Sequence, residues 1–118
     1  LEVGMSVASV ALRGEPTGVA HAWNADVVAT AKRDLAVGDT LDGEGGYCVW
    51  GKLLPAEKSA EMGGLPLGLA HGIKLVRPVK RGQSLCWADV TLDTAAPAFK
   101  VRKEMEAMFA PALANAAE

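Results

Sequence analysis

Apolar positions along this chain switch between helical and strand spacing, and the switches mark its elements. Val3, Val7, Val10 and Ala11 recur at helical intervals. Gly14 followed by Pro16 is the order in which a helix stops, so residues 1–13 read as a helix. A connector with His21 and Trp23 follows, and residues 26–32 form a mostly apolar run that reads as a strand. Residues 42–46 hold too much Gly for a regular element and read as a flexible loop. Residues 47–50 are β-rich. Residues 55–62 read as a two-turn helix, with Pro55 at its first position and Gly63-Gly64 behind it. Residues 65–69 are apolar but punctuated, hence irregular. Residues 73–77 form another strand, 87–90 a tight turn, and Thr91-Leu92 a short strand. Last, residues 97–114 place Val101, Met105, Met108, Phe109 and Leu113 on one face of an amphipathic helix. Lys100, Arg102, Lys103, Glu104 and Glu106 fall mostly on the other. This apolar face is expected to be buried, against this domain or against a partner, because soluble chains seldom leave such a stripe in water.

One segment occurs twice. Residues 33–41, Arg-Asp-Leu-Ala-Val-Gly-Asp-Thr-Leu, return at 77–85 as Arg-Pro-Val-Lys-Arg-Gly-Gln-Ser-Leu. In each copy an apolar strand leads in, and a glycine stands three residues after an aliphatic one. Gly38 and Gly82 therefore read as structural turns that need positive φ or a close backbone neighbour. Two copies of one strand–turn–strand unit predict a mainly β domain with an approximate internal two-fold, flanked by N- and C-terminal helices.

Composition narrows the function classes. The chain has 118 residues, half of them hydrophobic, which suits one folded core. Twelve basic residues against fourteen acidic give a net charge of −2. No global field attracts a phosphate backbone, so nucleic acid is not expected as a partner. No apolar run is long enough to span a membrane, and the opening segment lacks the pattern of a signal peptide. Cys48 and Cys86 sit in no metal or redox spacing and read as reduced, largely buried thiols, which fits a cytoplasmic location. The chain opens at Leu1, inside an apolar stretch, and reads as a fragment of a longer protein.

No catalytic constellation and no metal site emerge from the sequence. Neither His21 nor His71 falls in a nucleophile or metal motif, and His71-Gly72 reads as a turn or packed histidine. The glycines at 43–46 lack the spacing of a dinucleotide fingerprint. The remaining polar candidates for ligand binding are arginines. Arg33 and Arg77 hold equivalent places in the repeat, Arg81 lies in the second turn, and Arg13 lies in a charged turn after the first helix. Two arginines related by a pseudo-two-fold suit a carboxylate or phosphate. The plainer reading pairs them with Asp34, Asp39 or Asp89.

The residues that carry these features also carry a family likeness. Segment 26–93, with Lys-Arg-Asp-Leu-Ala-Val-Gly-Asp-Thr-Leu at 32–41 and Gly-Leu-Ala-His-Gly-Ile-Lys-Leu-Val-Arg-Pro-Val-Lys-Arg-Gly at 68–82, resembles the SAF domain. The resemblance implies the β-clip fold of type III antifreeze proteins and of the sialic acid synthase C-terminal domain. The segments at 6–18, 42–47, 64–72 and 102–106 are similar to the C-terminal part of bacterial homoserine-dehydrogenase-like oxidoreductases. That likeness implies residues 1–25 as helix and connector from a preceding domain, 26–93 as the SAF domain and 94–118 as a C-terminal amphipathic helix. It implies a parent protein with a Rossmann domain for NAD or NADP and a catalytic domain, assembled as a homo-oligomer. No cofactor-binding or catalytic residue is assigned to this chain itself. The alternative is a stand-alone carbohydrate- or small-acid-binding SAF module of the altronate dehydratase type. An assembly chaperone is a third possibility, disfavoured because such proteins are exported. Sialic acid synthases place an Arg at the start of the first SAF strand, where this chain has Asp26-Val27-Val28, so the likeness does not extend to that activity. The charged turn at Lys80-Arg81 likewise does not suit a flat ice-binding face.

Overall fold

The computed structural model describes residues 3–116, with side chains as far as residue 109. In chain order the elements are α1 (Val3–Ala8), β1 (Ala25–Ala31), β2 (Thr40–Asp42), β3 (Val49–Pro55), α2 (Ala56–Met62), β4 (His71–Lys74) and α3 (Pro97–Ala116). A wider helical turn, Ser9–Arg13, continues α1. Single 3₁₀ turns lie at Leu67–Leu69 and Trp87–Asp89. Helix outweighs strand, 35% against 27%, so the mainly β expectation is corrected to a mixture of helices and short antiparallel strands. The physical reason is that much of the extended backbone pairs through isolated bridges. Thr30 meets Ser84, Leu35 meets Val79, Gly64 meets Cys86 and Leu75 meets Val90. Among the described residues only β1–β3 and β2–β4 form ladders, both antiparallel. The short strand expected at Thr91-Leu92 is reduced to the bridge at Val90.

The repeat is visible hydrogen bond by hydrogen bond. Leu35 and Val79, which are counterparts in the two copies, exchange backbone bonds of 2.8 and 3.0 Å. Two equivalent residues bonded reciprocally mark the place where an internal two-fold passes between the copies. Around it the bonds recur in pairs. Gly38 N–H donates to Leu75 O at 2.8 Å, and Gly82 N–H donates to Ala31 O at 2.9 Å. Leu75 N–H donates to Asp39 O, and Ala31 N–H to Gln83 O. Each turn is also tied by a side chain: Asp39 Oδ2 accepts from Ala36 N–H at 3.0 Å, and Gln83 Oε1 from Lys80 N–H at 2.8 Å.

Gly38 and Gly82 adopt φ of +86° and +83°. An added Cβ would meet no atom within 4 Å at either glycine. Of the two requirements the sequence leaves open, backbone conformation is therefore the one that applies, and close approach is not.

The repeated aliphatic positions fill one core. Ala31 and Leu75, Leu35 and Val79, Leu41 and Leu85 are all buried, joined by Ala29, Val49 and Leu65. β1 is the spine. Beyond its ladder with β3, Ala29 donates its N–H to the Leu65 carbonyl and accepts at its own carbonyl from Leu85 N–H, so Val28 through Ala31 are covered on both sides. A strand buried on both faces reads as a nearly continuous apolar run, as Val28 to Ala31 do, with Thr30 as the one polar member and its hydroxyl 3.0 Å from that of Ser84. The Gly-rich stretch at 43–46, expected as a flexible loop, is tied down. Asp42 accepts from the N–H groups of Tyr47 and Cys48 at 2.5 and 3.0 Å, and Lys32 donates to the Gly46 carbonyl. The ends of α1 and α2 follow local rules: Gly14 and Gly63 close them at φ +66° and +61°.

Helix α3 docks on its own domain by a face other than its apolar stripe. Val101 and Met108 face water at 64% and 72% exposure, and Met105 and Phe109 are half-buried. The Leu113 side chain lies outside the described residues. The face that meets the domain carries Phe99, Arg102, Lys103 and Glu106 instead.

Candidate functional site

The chemistry-bearing side chains gather where α3 crosses the start of β1 and the end of α2. Asp26 begins the buried part of β1 and is itself only 7% exposed. A carboxylate there is costly unless its lone pairs are filled. Ser59 on α2 donates its hydroxyl to Asp26 Oδ2 at 2.6 Å. Arg102 on α3 donates both terminal guanidinium nitrogens, one to each carboxylate oxygen, at 3.0 and 2.5 Å. Burial pushes the Asp26 carboxyl up, but the Arg102 and Ser59 bonds outweigh it and hold it below the ordinary carboxylate range. Arg102 also donates Nε to Glu106 at 2.8 Å, one helical turn on, and Lys103 donates to Glu106 at 2.7 Å. Two carboxylates and two cations close on one another without excess charge.

Two indoles flank this network. The Arg102 guanidinium lies 4.8 Å from the centre of the Trp23 ring, and Lys103 Nζ lies 4.2 Å from that of Trp87. Phe99 meets Trp87 edge to face at 5.6 Å. Between them is a cleft of about 420 Å³, lined by Trp23, Ser59, Gly63, Trp87, Lys103 and Glu106 among others. This is the size of a small-molecule site. Its polar groups are spoken for, however. Asp26 is a weak base because its oxygens already accept strong bonds, and Ser59 is bonded to that same carboxylate rather than to a base of its own. What the cleft offers is two aromatic walls, with Lys103 and Glu106 at 39% and 23% side-chain exposure on its rim. Such walls suit the flat face of a small molecule.

The arginines singled out by sequence lie elsewhere. Arg33 sits 3.6 Å from Asp39 and donates to the Cys48 sulfur at 3.6 Å. Arg77 pairs with Asp89 and donates to the Cys86 sulfur at 3.1 Å. The two are counterparts in the repeat, but the position equivalent to Asp39 is Gln83, so Arg77 turns to another carboxylate. Burial raises the Asp89 carboxyl, and the Cys86 N–H and the Arg77 guanidinium more than offset it, leaving it lowered. Arg81 is exposed, and its backbone N–H, with Lys80 Nζ, is bound by Asp34 at 2.9 and 3.0 Å. Arg13 lines a hollow with Met5, Ser9, Leu12 and Glu15 in the N-terminal segment. Arg13 and Arg77 line different hollows and share no lining residue. Cys48 and Cys86 are unpaired. His71 opens β4, exposed, with Nδ1 at 3.1 Å from the Asp42 carbonyl oxygen.

Sequence reading missed the cleft because its members stand far apart in the chain. A signal was present nonetheless. Asp26 is a lone carboxylate at the mouth of an apolar run, and Arg102 and Glu106 stand one helical turn apart on a helix that must dock somewhere.

Among the described residues, no group of three or more His, Cys, Asp or Glu side chains is arranged to hold a metal ion. No helix among them is long and apolar enough to cross a membrane. No protein-family model matches this chain, and no curated protein matches it significantly.

Proposed function

We infer that the chain is an accessory and assembly module of the SAF, or β-clip, type, belonging to an NAD(P)-dependent oxidoreductase that resembles homoserine dehydrogenases. Its part is to supply packing surface, while the dinucleotide and the reacting groups belong to preceding Rossmann and catalytic domains. One observation carries the assembly reading. No residue of α1 or of the turn that continues it is buried, and Val3, Met5, Val7, Val10 and Leu12 are 61–85% exposed. A helix with that many bare apolar side chains is built to lie against another surface. The repeated turns and the reciprocal Leu35–Val79 bonds support the β-clip part of the reading.

The test is amide hydrogen exchange on residues 3–13, in the 118-residue chain and in the full polypeptide encoded by its gene. Strong protection in the full polypeptide alone, together with NAD(P)H binding by that polypeptide, is the expected result. Equal exchange in both, with no dinucleotide bound, overturns the reading.

The cleft between Trp23 and Trp87 favours a second reading, a module that binds a carbohydrate or small acid. Titration of the 118-residue chain with sugar acids, followed by tryptophan fluorescence, decides it. A saturable change that Trp87→Ala abolishes supports this reading, and a flat titration removes it.

A further inference from the structure

Helix α3 has two faces with opposite tasks. One is committed to its own domain through Arg102 on Asp26, Lys103 over Trp87, and Phe99 against the same indole. Because that face is locked, the other cannot turn inward. Val101, Met105 and Met108 recur along the outer face at intervals of four and three residues, one stripe of the helix. Val101 and Met108 are 64% and 72% exposed. The stripe continues into an open, nearly all-apolar groove of about 560 Å³, where Val101 and Met105 face Leu69 and Pro66. Along one flank stand Lys100 and Glu104, also one turn apart, both exposed. Neither forms an ion pair within the chain among the described residues.

The order of those two charges selects the occupant. In an antiparallel pair of identical helices, each flank meets the same flank of its partner, running the other way. Lys100 then lies beside the partner's Glu104, and Glu104 beside the partner's Lys100. Parallel pairing about a two-fold would instead turn this flank toward the partner's opposite flank, and Lys100 and Glu104 would not meet each other. The apolar stripe is compatible with the same reversal, since the Pro97 end of one helix meets the Met108 end of the other. We propose that the outer face of α3 is a self-docking surface, on which a second copy of this chain packs its own α3 antiparallel about a two-fold axis. This deepens the assembly reading above by naming a partner. It is tested on the 118-residue chain alone, so its failure leaves the inference about NAD(P) standing.

Sedimentation velocity at rising concentrations, up to about 100 µM, reads the outcome at the scale of a weak isologous contact. The wild-type chain is expected to dimerise. Lys100→Glu and Glu104→Lys each replace two attractive cross-helix pairs by two repulsive ones and are expected to weaken the dimer about tenfold or more. The double variant Lys100→Glu/Glu104→Lys restores the pairing and is expected to recover the wild-type affinity. An equimolar mixture of the two single variants is expected to form a heterodimer. Met108→Asp is expected to abolish association while leaving circular dichroism and melting unchanged, because that side chain faces water. A wild-type chain that stays monomeric overturns the proposal. So does a dimer indifferent to all of these variants, and so does one lost on Val7→Asp, which would place the contact on α1.

Discussion

The repeat core and helix α3 are attached to the same molecule by opposite means. In the core, Leu35, Leu41, Leu75, Val79 and Leu85 are buried, the backbone satisfies itself through reciprocal bonds, and charges other than buried Asp89 stay at the turn tips. At α3 the contact is a buried ion pair with aromatic cover, and much of the apolar surface points to water. Apolar contact is non-directional and tolerates small shifts. A bidentate Arg–carboxylate pair fixes one orientation and fails when either partner is lost. The core is thus built for cohesion and α3 for placement. A helix held by its charged side can keep its apolar side for another surface.

The comparison breaks most visibly in the core. Leu85→Ala removes a fully buried side chain and is expected to cost about 2–5 kcal/mol. The loss is global: the far-ultraviolet and tryptophan signals should melt together, at lower temperature. Arg102→Ala leaves Asp26 buried without its main partner and is expected to cost about 3 kcal/mol, near the lower end for a broken buried pair. Here the loss should be local. Helical circular dichroism falls as α3 detaches, while exchange protection at Ala29, Leu65 and Leu85 survives. A single cooperative collapse in Arg102→Ala would show that core and helix are one unit.

How much of this the chain discloses depends on the range of the interaction involved. Gly38 and Gly82 are legible because a turn needs its glycine at a fixed offset from the residues around it. The helix ends at Gly14 and Gly63 are legible for the same reason. The facing of α3 is not, although its period is. Helical spacing finds an apolar stripe at Val101, Met105 and Met108, but cannot weigh it against Arg102, whose partner Asp26 lies at the other end of the chain. Pairing across such a distance is tertiary information. The balance of helix and strand is hidden by the same gap. Extended segments at 64–66 and 83–86 bond as bridges on β1 rather than as independent strands, and no local pattern distinguishes the two.

Acid sharpens the contrast between the regions. The Asp26 carboxyl has a lowered pKa in the folded chain, where the Arg102 and Ser59 bonds outweigh burial, and Asp89 is lowered similarly. Protons therefore bind the unfolded chain more readily than the folded one. The stability these groups contribute is fully present above the ordinary carboxylate pKa of about 4, and is lost as pH falls through their folded values. Detachment of α3 is expected to precede core melting on acidification. In Asp26→Asn that early step should vanish from a pH titration followed at 222 nm, because the variant lacks the titrating group. An early step unchanged in Asp26→Asn would move its origin to another carboxylate.

The smallest effect tests the core's internal symmetry. Gly38 and Gly82 share nearly the same positive φ, neither has an atom where a Cβ would go, and each donates its N–H to the counterpart strand. Alanine at either site meets no neighbour and suffers only the backbone strain of the left-handed region, expected at about 1 kcal/mol. Because the cause is the same twice, the two substitutions should match within a few tenths of a kcal/mol in urea titrations, with unchanged slope. The turns differ in their side-chain ties, Asp39 in one and Gln83 in the other, so an unequal pair of costs would assign the difference to those ties. Asp39→Gln in the Gly38→Ala background then makes the turn ties alike. If the costs converge, the symmetry of the core lies in its backbone, and the charges at its turn tips are the part that departs from it.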